Sequence, residues 1–461
     1  MTSHNITIIG TGYIGLVTGV CLAEMGNNVT CVDIDPRKVE MLKGGKSPIF
    51  EPGIEELMLK NKDRLTFTTS YAEGVDGAEI VYIAVHTPSK QNGEADLKHV
   101  FAAAKEVGEN ITDDLIVINK STVPVGTGHK VEKVIQKETD KHVSVISCPE
   151  FLREGKAIHD FFHPYRIVIG ADPGHEKAVN LLKELYKEVV NSHAEYVITD
   201  LRSAEMIKYA SNSILATQIS FINELSHLCE KVGVDVTEVA RGMKLDDRIG
   251  KEAFLNAGLG FGGSCFPKDV RALVALGKKQ SARLSLLEHT QKINDRQIDK
   301  AFSKIHKVLK ESGVHLKDAK IALLGLSFKP NTDDTRESQS FRLINKLLKE
   351  GASNIHVVDP IVSWKEEVAF KKFIPKRIRR DAKALSKVHS NEHGSVEELI
   401  TQAAQDADVL ILATEWEEFQ NLDFAALGTA MKNRCFVDLR NVYQKTEVQA
   451  HDFIIENMGK K

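Results

Sequence analysis

The chain lacks a dominant charge, a long apolar run and paired cysteines. Lysine and arginine number 61 against 64 aspartates and glutamates, a formal net charge of −3. Without a basic field there is no general attraction for a phosphate backbone, so nucleic acid is not expected as a partner. No apolar run reaches the ~18 residues of a membrane span, so none is expected. The opening Met-Thr-Ser-His-Asn-Ile-Thr has no basic region followed by a long apolar one. No secretory signal is visible there, and a cytoplasmic location is expected. The six cysteines, Cys21, Cys31, Cys148, Cys229, Cys265 and Cys435, include no C-x-x-C pair. That argues against a zinc ribbon or a disulfide framework and suits a reducing compartment. There is no H-E-x-x-H, and the 17 histidines are dispersed, so no metal site is expected.

What is present is enough chain for more than one core. At 461 residues, a prior of roughly 150 per domain gives two or three domains. Residues 5–10 read as a buried strand, followed by a glycine turn, a helix over Tyr13–Met25 and a second strand over Asn28–Asp33. Further strand signals fall at Ile80–Val85, Leu115–Asn119, Val143–Ser147 and Tyr165–Gly170, with helical patterns between most of them. Strands alternating with helices predict a mostly parallel, doubly wound sheet. From about Asp200 to Val232 the apolar spacing turns helical (Ala204, Ile207, Ala210, Ile214, Phe221, Leu225, Leu228). A second helical stretch runs from about Leu284 to Glu311. These helices are either plain core helices or a spine between domains with a surface for a homodimer. Alternation resumes at Lys320 and continues through Ser338–Glu350, Asn354–Asp359, Asp406–Ala413 and Arg434–Asp438. The fold class is therefore α/β, with two Rossmann-like doubly wound lobes joined by a central helical domain. The expected boundaries are 1–200, 201–315 and 316–461. The basic stretch 371–387, with Lys376, Arg377, Arg379 and Arg380, reads as a solvated surface insertion.

Gly10-Thr11-Gly12-Tyr13-Ile14-Gly15 is a G-x-G-x-x-G placed after a strand and at the opening of a helix. In that setting it is a dinucleotide fingerprint. Gly10 permits the tight turn, Gly12 lets a pyrophosphate approach, and Gly15 lets helix pack on strand. Asp33, ending the second strand, would accept ribose hydroxyls and repel a 2′-phosphate, which favours NAD over NADP; Lys38 nearby softens that preference. Thr87, Ser121 and Thr122 follow strands of the same lobe, where open sheets bind ligands, although each could be an ordinary turn residue. His86 reads as structural. Glu150 and Glu154 follow another strand, and could be a base and a ribose contact or plain surface charge. Lys208 and Asn212, at i and i+4, share a helix face in apolar surroundings. An ammonium beside a carboxamide could hold an oxyanion, although a solvated helix lysine is the default reading.

Gly260-Phe-Gly-Gly-Ser-Cys265-Phe-Pro-Lys-Asp269 carries the sharpest chemical signal. Glycines bring backbone N–H groups close to a ligand, and a thiol among N–H donors and a cation ionises readily to a nucleophile. The turn from Phe328-Lys329 to Asp333-Asp334-Thr335-Arg336-Glu337-Ser338 follows the first strand of the second lobe. It holds cations that could bind phosphate, and Ser338 is a plausible N-cap.

Taken with Asp438-Leu-Arg440, this ordered set resembles the UDP-glucose/GDP-mannose dehydrogenase family over nearly the whole chain. The resemblance implies a four-electron oxidation of UDP-glucose at C6 to UDP-glucuronate, with two NAD used in succession. It implies that Cys265 captures an aldehyde as a thiohemiacetal, which is oxidised to a thioester and hydrolysed by water. Lys208 and Asn212 match the residues that hold the oxyanion, Asp269 the carboxylate near the lysine and the water. Glu150 matches a base for hydrolysis and Thr122 a residue that positions water. The same resemblance gives Glu154 and Arg336 to the cofactor. It gives Phe151, Leu152, Phe254, Leu255, Gly260, Lys329 and Arg440 to the nucleotide sugar, and Arg248 to the substrate of a neighbouring subunit.

Alternatives differ in observable ways. The same chemistry on GDP-mannose or a UDP-N-acetylhexosamine would change the preferred sugar. A two-electron hydroxyacid dehydrogenase would leave Cys265 inert and give one NADH per substrate. A non-catalytic NAD-binding module would be indifferent to Cys265→Ser.

Overall fold

A computed structural model describes residues 3–190, 194–362, 385–389 (backbone) and 395–460. The basic stretch 371–387 falls outside them except for the backbone of 385–387. Those residues gather into two compact units. One comprises the chain up to Ser211 together with Arg271–Ala282; the other comprises Asn212–Val270 together with the chain from Arg283. Of the three changes of unit, two fall inside helices, Leu201–Val232 and Phe266–Lys279, and the third, at Ala282–Arg283, falls just before the helix Ser285–Glu311.

The first unit is built on eight strands: β1 (Asn5–Ile9), β2 (Asn28–Val32), β3 (Leu65–Thr68), β4 (Ile80–Ile83), β5 (Leu115–Asn119), β6 (Val143–Ser147), β7 (Arg166–Gly170) and β8 (Glu195–Thr199). Their order is β3-β2-β1-β4-β5-β6-β7-β8, parallel except where β7 meets β6. The order reverses between β1 and β4, so the carboxyl ends of these two strands flank the crevice where open sheets take ligands. The strands read as apolar runs because both faces are covered: Ile6, Ile8 and Tyr82 face one core, Ile9, Val81 and Ile83 the other.

The second unit carries β9 (Lys320–Leu324), β10 (Asn354–Val358), β11 (Leu385–His389), β12 (Val409–Leu412), β13 (Cys435–Asp438) and β14 (Ile454–Asn457). All are parallel, in the order β11-β10-β9-β12-β13-β14. Relative to its own first strand this repeats the order of the first sheet. Again both faces are covered: Ile321, Leu323 and Val357 lie in one cluster, Ala322, Leu324 and Val358 in the other.

The predicted helical stretch from Asp200 is one continuous helix, Leu201–Val232, and the next is Ser285–Glu311. On the former, Ile214, Phe221 and Leu228 are 55%, 47% and 55% exposed, a seven-residue spacing that leaves an apolar stripe on the surface. Sequence patterning overlooks β3, β8, β11 and β14, all at sheet edges, and the helix Phe266–Lys279 that follows Cys265. Among the described residues no helix is long and apolar enough to cross a membrane.

Candidate active site

The glycine turn after β1 has the form a dinucleotide needs. Gly10 has φ +100°, and a Cβ there would lie 2.7 Å from the Ala84 carbonyl oxygen. A Cβ on Gly15 would lie 1.9 Å from the Gly10 oxygen, so only glycine lets the helix Tyr13–Glu24 start this close to the strand. Gly12 is its N-cap and has no side chain to satisfy the first N–H groups. A Cβ on Gly12 would meet only the His86 ring, 3.6 Å away. An unblocked helix N-terminus with open space before it fits a pyrophosphate. Asp33 accepts from Thr11 N and Oγ1 (2.8 and 2.6 Å) and from Asp35 N (2.9 Å), with Lys38 Nζ 3.7 Å away. Burial pushes its carboxyl up, but the Thr11 and Asp35 hydrogen bonds and the Lys38 charge hold it below the usual carboxylate range. The Tyr13 hydroxyl is engaged by the Glu51 carboxylate, which also accepts from Gly155 N and Ala157 N (2.7 Å each). Ile14 is half-buried beside it.

Three strand-end loops lie alongside. Thr87 Oγ1 donates to the Thr122 carbonyl (2.9 Å), and Ser121 Oγ donates to the Val85 carbonyl (2.9 Å). After β6, Glu150 is buried; Oε2 accepts from Leu152 N (2.6 Å) and Oε1 meets Lys208 Nζ at 2.8 Å. Lys208 is thus not a solvated helix lysine: it is 4% exposed, in a buried ion pair. Removing one partner of such a pair leaves an uncompensated charge, so the two fix each other. The Phe151 ring lies under both Lys208 Nζ (5.2 Å) and the Arg166 guanidinium (3.8 Å). Arg166 donates to Ser211 Oγ (3.3 Å) and has no carboxylate partner among the described residues; burial lowers its pKa. It opens β7 and went unnoticed in the sequence, where a strand's first residue carries no motif. Leu152 and Glu154 are half-buried in the same loop.

In the second unit, Cys265 is half-buried and immediately precedes the helix Phe266–Lys279, with Ser264 Oγ 3.5 Å from its sulfur. Its carbonyl accepts from Asp269 N (2.9 Å). Asp269 is fully buried, with Asn212 Nδ2 donating to it at 2.6 Å and Lys268 Nζ on its other oxygen. The turn itself is tied by amide side chains. Asn294 bonds both Phe261 N (2.8 Å) and Phe261 O (3.0 Å), and Gln339 reaches the same carbonyl (2.5 Å). Asn223 accepts from Gly258 N (2.8 Å) while Gln297 donates to Gly258 O (2.7 Å). Gly260 has φ +104° and would place a Cβ 2.5 Å from Asn294 Oδ1. Gly263 N donates to the Arg336 carbonyl (2.9 Å). None of these amides has a local sequence signature.

The remaining predicted residues also lie in the second unit. Phe254 N donates to Gln218 Oε1 (3.0 Å), and Leu255 is buried. Lys329 is half-buried, its Nζ 5.8 Å from the Phe328 ring centre. Arg336 is exposed and paired with Asp334 (2.8 and 2.7 Å). Arg440 pairs with Glu415 (2.5 Å) and donates its N–H to Asp438 (2.9 Å). It lines an open depression with Asn256, Gln420 and Asn441. Arg248 lies on the surface against its neighbour Asp246 (2.6 Å). The structure thus joins Glu150, Phe151 and Lys208 in the first unit, and Asn212, Cys265 and Asp269 in the second. Among the described residues no cluster of three or more metal-ligating side chains occurs.

Comparison with known proteins matches the chain in three successive stretches. Domains of the UDP-glucose/GDP-mannose dehydrogenase family match in order: the NAD binding domain over residues 4–190, the central domain over 202–296 and the UDP binding domain over 322–445. The UDP-glucose 6-dehydrogenase of Rhizobium meliloti is 44% identical over 459 residues, covering 99% of each chain. A solved UDP-glucose dehydrogenase from Pyrobaculum islandicum has a TM-score of 0.85 at 34% identity, covering 100% of this chain and 98% of that one. A solved UDP-D-ManNAc dehydrogenase from Pyrococcus horikoshii has a TM-score of 0.82 at 25% identity, covering 99% of each. With two sheets of one order, a dinucleotide turn and a cysteine turn in their expected places, the chain belongs to the UDP-glucose/GDP-mannose dehydrogenase family of NAD-dependent oxidoreductases.

Proposed function

We propose that the protein oxidises UDP-glucose at C6 to UDP-glucuronate, taking four electrons and holding the sugar on Cys265 between the two oxidations. NAD, when bound, accepts the hydride of each oxidation, alcohol to aldehyde and thiohemiacetal to thioester. Cys265 Sγ forms its bond to C6 of the aldehyde, and the carbonyl π pair moves onto oxygen. Lys208 and Asn212 hold that oxyanion, worth up to about 4 kcal/mol per donor in sites of this kind. Glu150 takes a proton from a water positioned by Thr122; the water oxygen adds to the thioester carbon, the C–S bond breaks, and the sulfur leaves as thiolate. Asp269 keeps Asn212 oriented and accepts its amide at 2.6 Å. The single observation that carries this reading is the cysteine in a glycine turn at a helix N-terminus, where negative charge on sulfur is favoured.

In this reading Gly10, Thr11, Gly12, Tyr13, Ile14, Gly15, Asp33, Lys38, Thr87, Ser121, Thr122, Glu154 and Arg336 serve the cofactor. Glu150, Phe151, Leu152, Phe254, Leu255, Gly260, Lys329 and Arg440 join Lys208 and Asn212 on the nucleotide sugar. The functional segments are 1–200, 201–315 and 316–461. A homodimer is supported by the exposed stripe of Ile214, Phe221 and Leu228, and would let Arg248 of one copy reach the other's substrate. A monomeric mass in solution would overturn that arrangement.

The test is the yield of NADH per nucleotide sugar. UDP-glucose should give two NADH with no free aldehyde, and Cys265→Ser should abolish the full conversion. One NADH with released aldehyde would sink the covalent mechanism. A faster reaction with GDP-mannose or a UDP-N-acetylhexosamine would keep the mechanism and replace the substrate.

A further inference from the structure

Glu205 lies on the helix Leu201–Val232, one turn before Lys208, and is 2% exposed. A carboxylate so deep needs partners, and it takes them from another element. Oε2 accepts from Gly126 N (2.5 Å) and Oε1 from Gly128 N (2.7 Å). Gly126 is the N-cap of the helix Thr127–Ile135 and has φ +87°, with no side chain of its own to satisfy the helix end. Glu205 therefore supplies the missing cap from a distant part of the chain. The approach is close: a Cβ on Gly128 would lie 3.1 Å from Leu201 and 3.4 Å from Glu205 Oε1. The capped helix end closes the loop after β5, because Thr127 N and Oγ1 both donate to the Pro124 carbonyl (3.1 and 2.5 Å). That loop carries Ser121 and Thr122, and Thr87 holds the Thr122 carbonyl from its other side.

We propose that Glu205 is a positioning residue for the oxidation, its carboxylate fixing the Thr122 loop to the helix that carries Lys208. The proposal rests on the reading above that Thr122 and Lys208 serve the reaction. Glu205 touches neither substrate nor cofactor in it; it acts by setting where the water-positioning loop sits. Burial pushes its carboxyl up to about 7, against the N–H groups of Gly128 and Gly126 and the nearby His129. His129 is the titratable group facing it from the helix Thr127–Ile135, and is itself held by Asp172 at 2.7 Å. Lys208, on Glu205's own helix, is paired with Glu150. As pH falls through about 7 the carboxylate gains a proton and one of its two acceptor oxygens becomes a donor. The clamp then loosens, so turnover falls on the acid side.

Glu205→Gln keeps the size and removes the charge; Glu205→Ala removes the clamp. Two measurements decide the matter on the full-length protein. Hydrogen exchange of the segment 121–130 reads the clamp without any turnover, and should quicken in both variants. Steady-state kinetics on UDP-glucose should show kcat lower by roughly tenfold to a hundredfold, with KM for NAD within about twofold. The acid limb of kcat near pH 7 should flatten in Glu205→Gln. Unchanged exchange in 121–130 would overturn the clamp. Faster exchange with kcat and pH profile unchanged would overturn the positioning role, leaving a structural one. If Glu205→Ala does not fold, Glu205→Gln decides by the same criteria. If the wild type leaves UDP-glucose untouched, the functional reading fails, and exchange alone judges the clamp.

Discussion

Gly10 and Gly325 occupy the same place in two sheets of the same strand order, with φ +100° and +99°. A carboxylate at the end of the second strand ties down each turn: Asp33 accepts from Thr11 N (2.8 Å), Asp359 from Leu326 N (2.7 Å) and Ser327 N (3.1 Å). Beyond that the turns diverge. In the first lobe the helix starts directly, with the bare N-cap Gly12. In the second the chain runs on through Lys329 and Arg336 before the helix Gln339–Lys349. There Ser338 closes the helix end, accepting from Ser340 N and donating to the Leu326 carbonyl (2.6 Å). One lobe presents an unblocked helix dipole, the other a capped helix and side-chain cations. Strand order alone therefore does not say what such a lobe binds; the first turn does.

Substitutions can break that contrast, starting with the largest expected effect. If the half-buried Lys329 holds the nucleotide sugar as proposed, Lys329→Ala should raise KM for it by roughly 30-fold, since truncating one partner of a hydrogen-bonded charge pair costs about 2 kcal/mol or more once the sugar covers it. KM for NAD should stay put, and kinetics with each substrate varied in turn would show whether the lobes act separately. Gly12→Ser transplants the cap of the second lobe into the first. Gly12 has φ −71° and room for a Cβ, so the serine fits. Its hydroxyl would compete with phosphate for the helix N–H groups, raising KM for NAD about tenfold. The melting temperature should not fall; a lower one would mean steric damage instead. Ser338→Ala should destabilise the fold by about 1 kcal/mol in denaturant titration, with KM for NAD unchanged.

The smallest effect concerns the two carboxylates. Burial raises Asp359 despite its backbone N–H donors, whereas Asp33 is held low. Stability from Asp33 is present above an unfolded value of about 4 and is lost as pH falls through the lower folded one. For Asp359 it is present below about 4 and is lost as pH rises through the raised folded value. Asp33→Asn should therefore cost more melting temperature near pH 7 than near pH 3, and Asp359→Asn less. Equal pH dependence would erase the difference between the turns.

The first lobe's turn was legible in the sequence because its signal is local: Gly10, Gly12 and Gly15 act on one strand, one turn and one helix. The cysteine turn was legible for the same reason. Interior strands such as Leu115–Asn119 and Val143–Ser147 end where their apolar runs predict. The edge strands did not announce themselves, since Glu195–Thr199 is exposed or half-exposed throughout and shows no buried run. Glu150 with Lys208, Arg166 over Phe151, and Glu205 at Gly126 were invisible as pairs, because each contact joins segments far apart in the chain. Lys208 and Asn212 are one turn apart on one helix, yet the first is tied to Glu150 and the second to Asp269. Spacing gave their common face and nothing of their partners.

Asn223, Asn294, Gln297 and Gln339 tie the cysteine turn through neutral amides, and the Arg336 carbonyl accepts from Gly263 N. None of these groups gains or loses a proton in the range where proteins work. Beside them lies the Lys268–Asp269 ion pair, and the proposed oxidation would release protons there. In the proposed turnover the local charge would rise and fall beside these amide knots, whose own charge would not change with it.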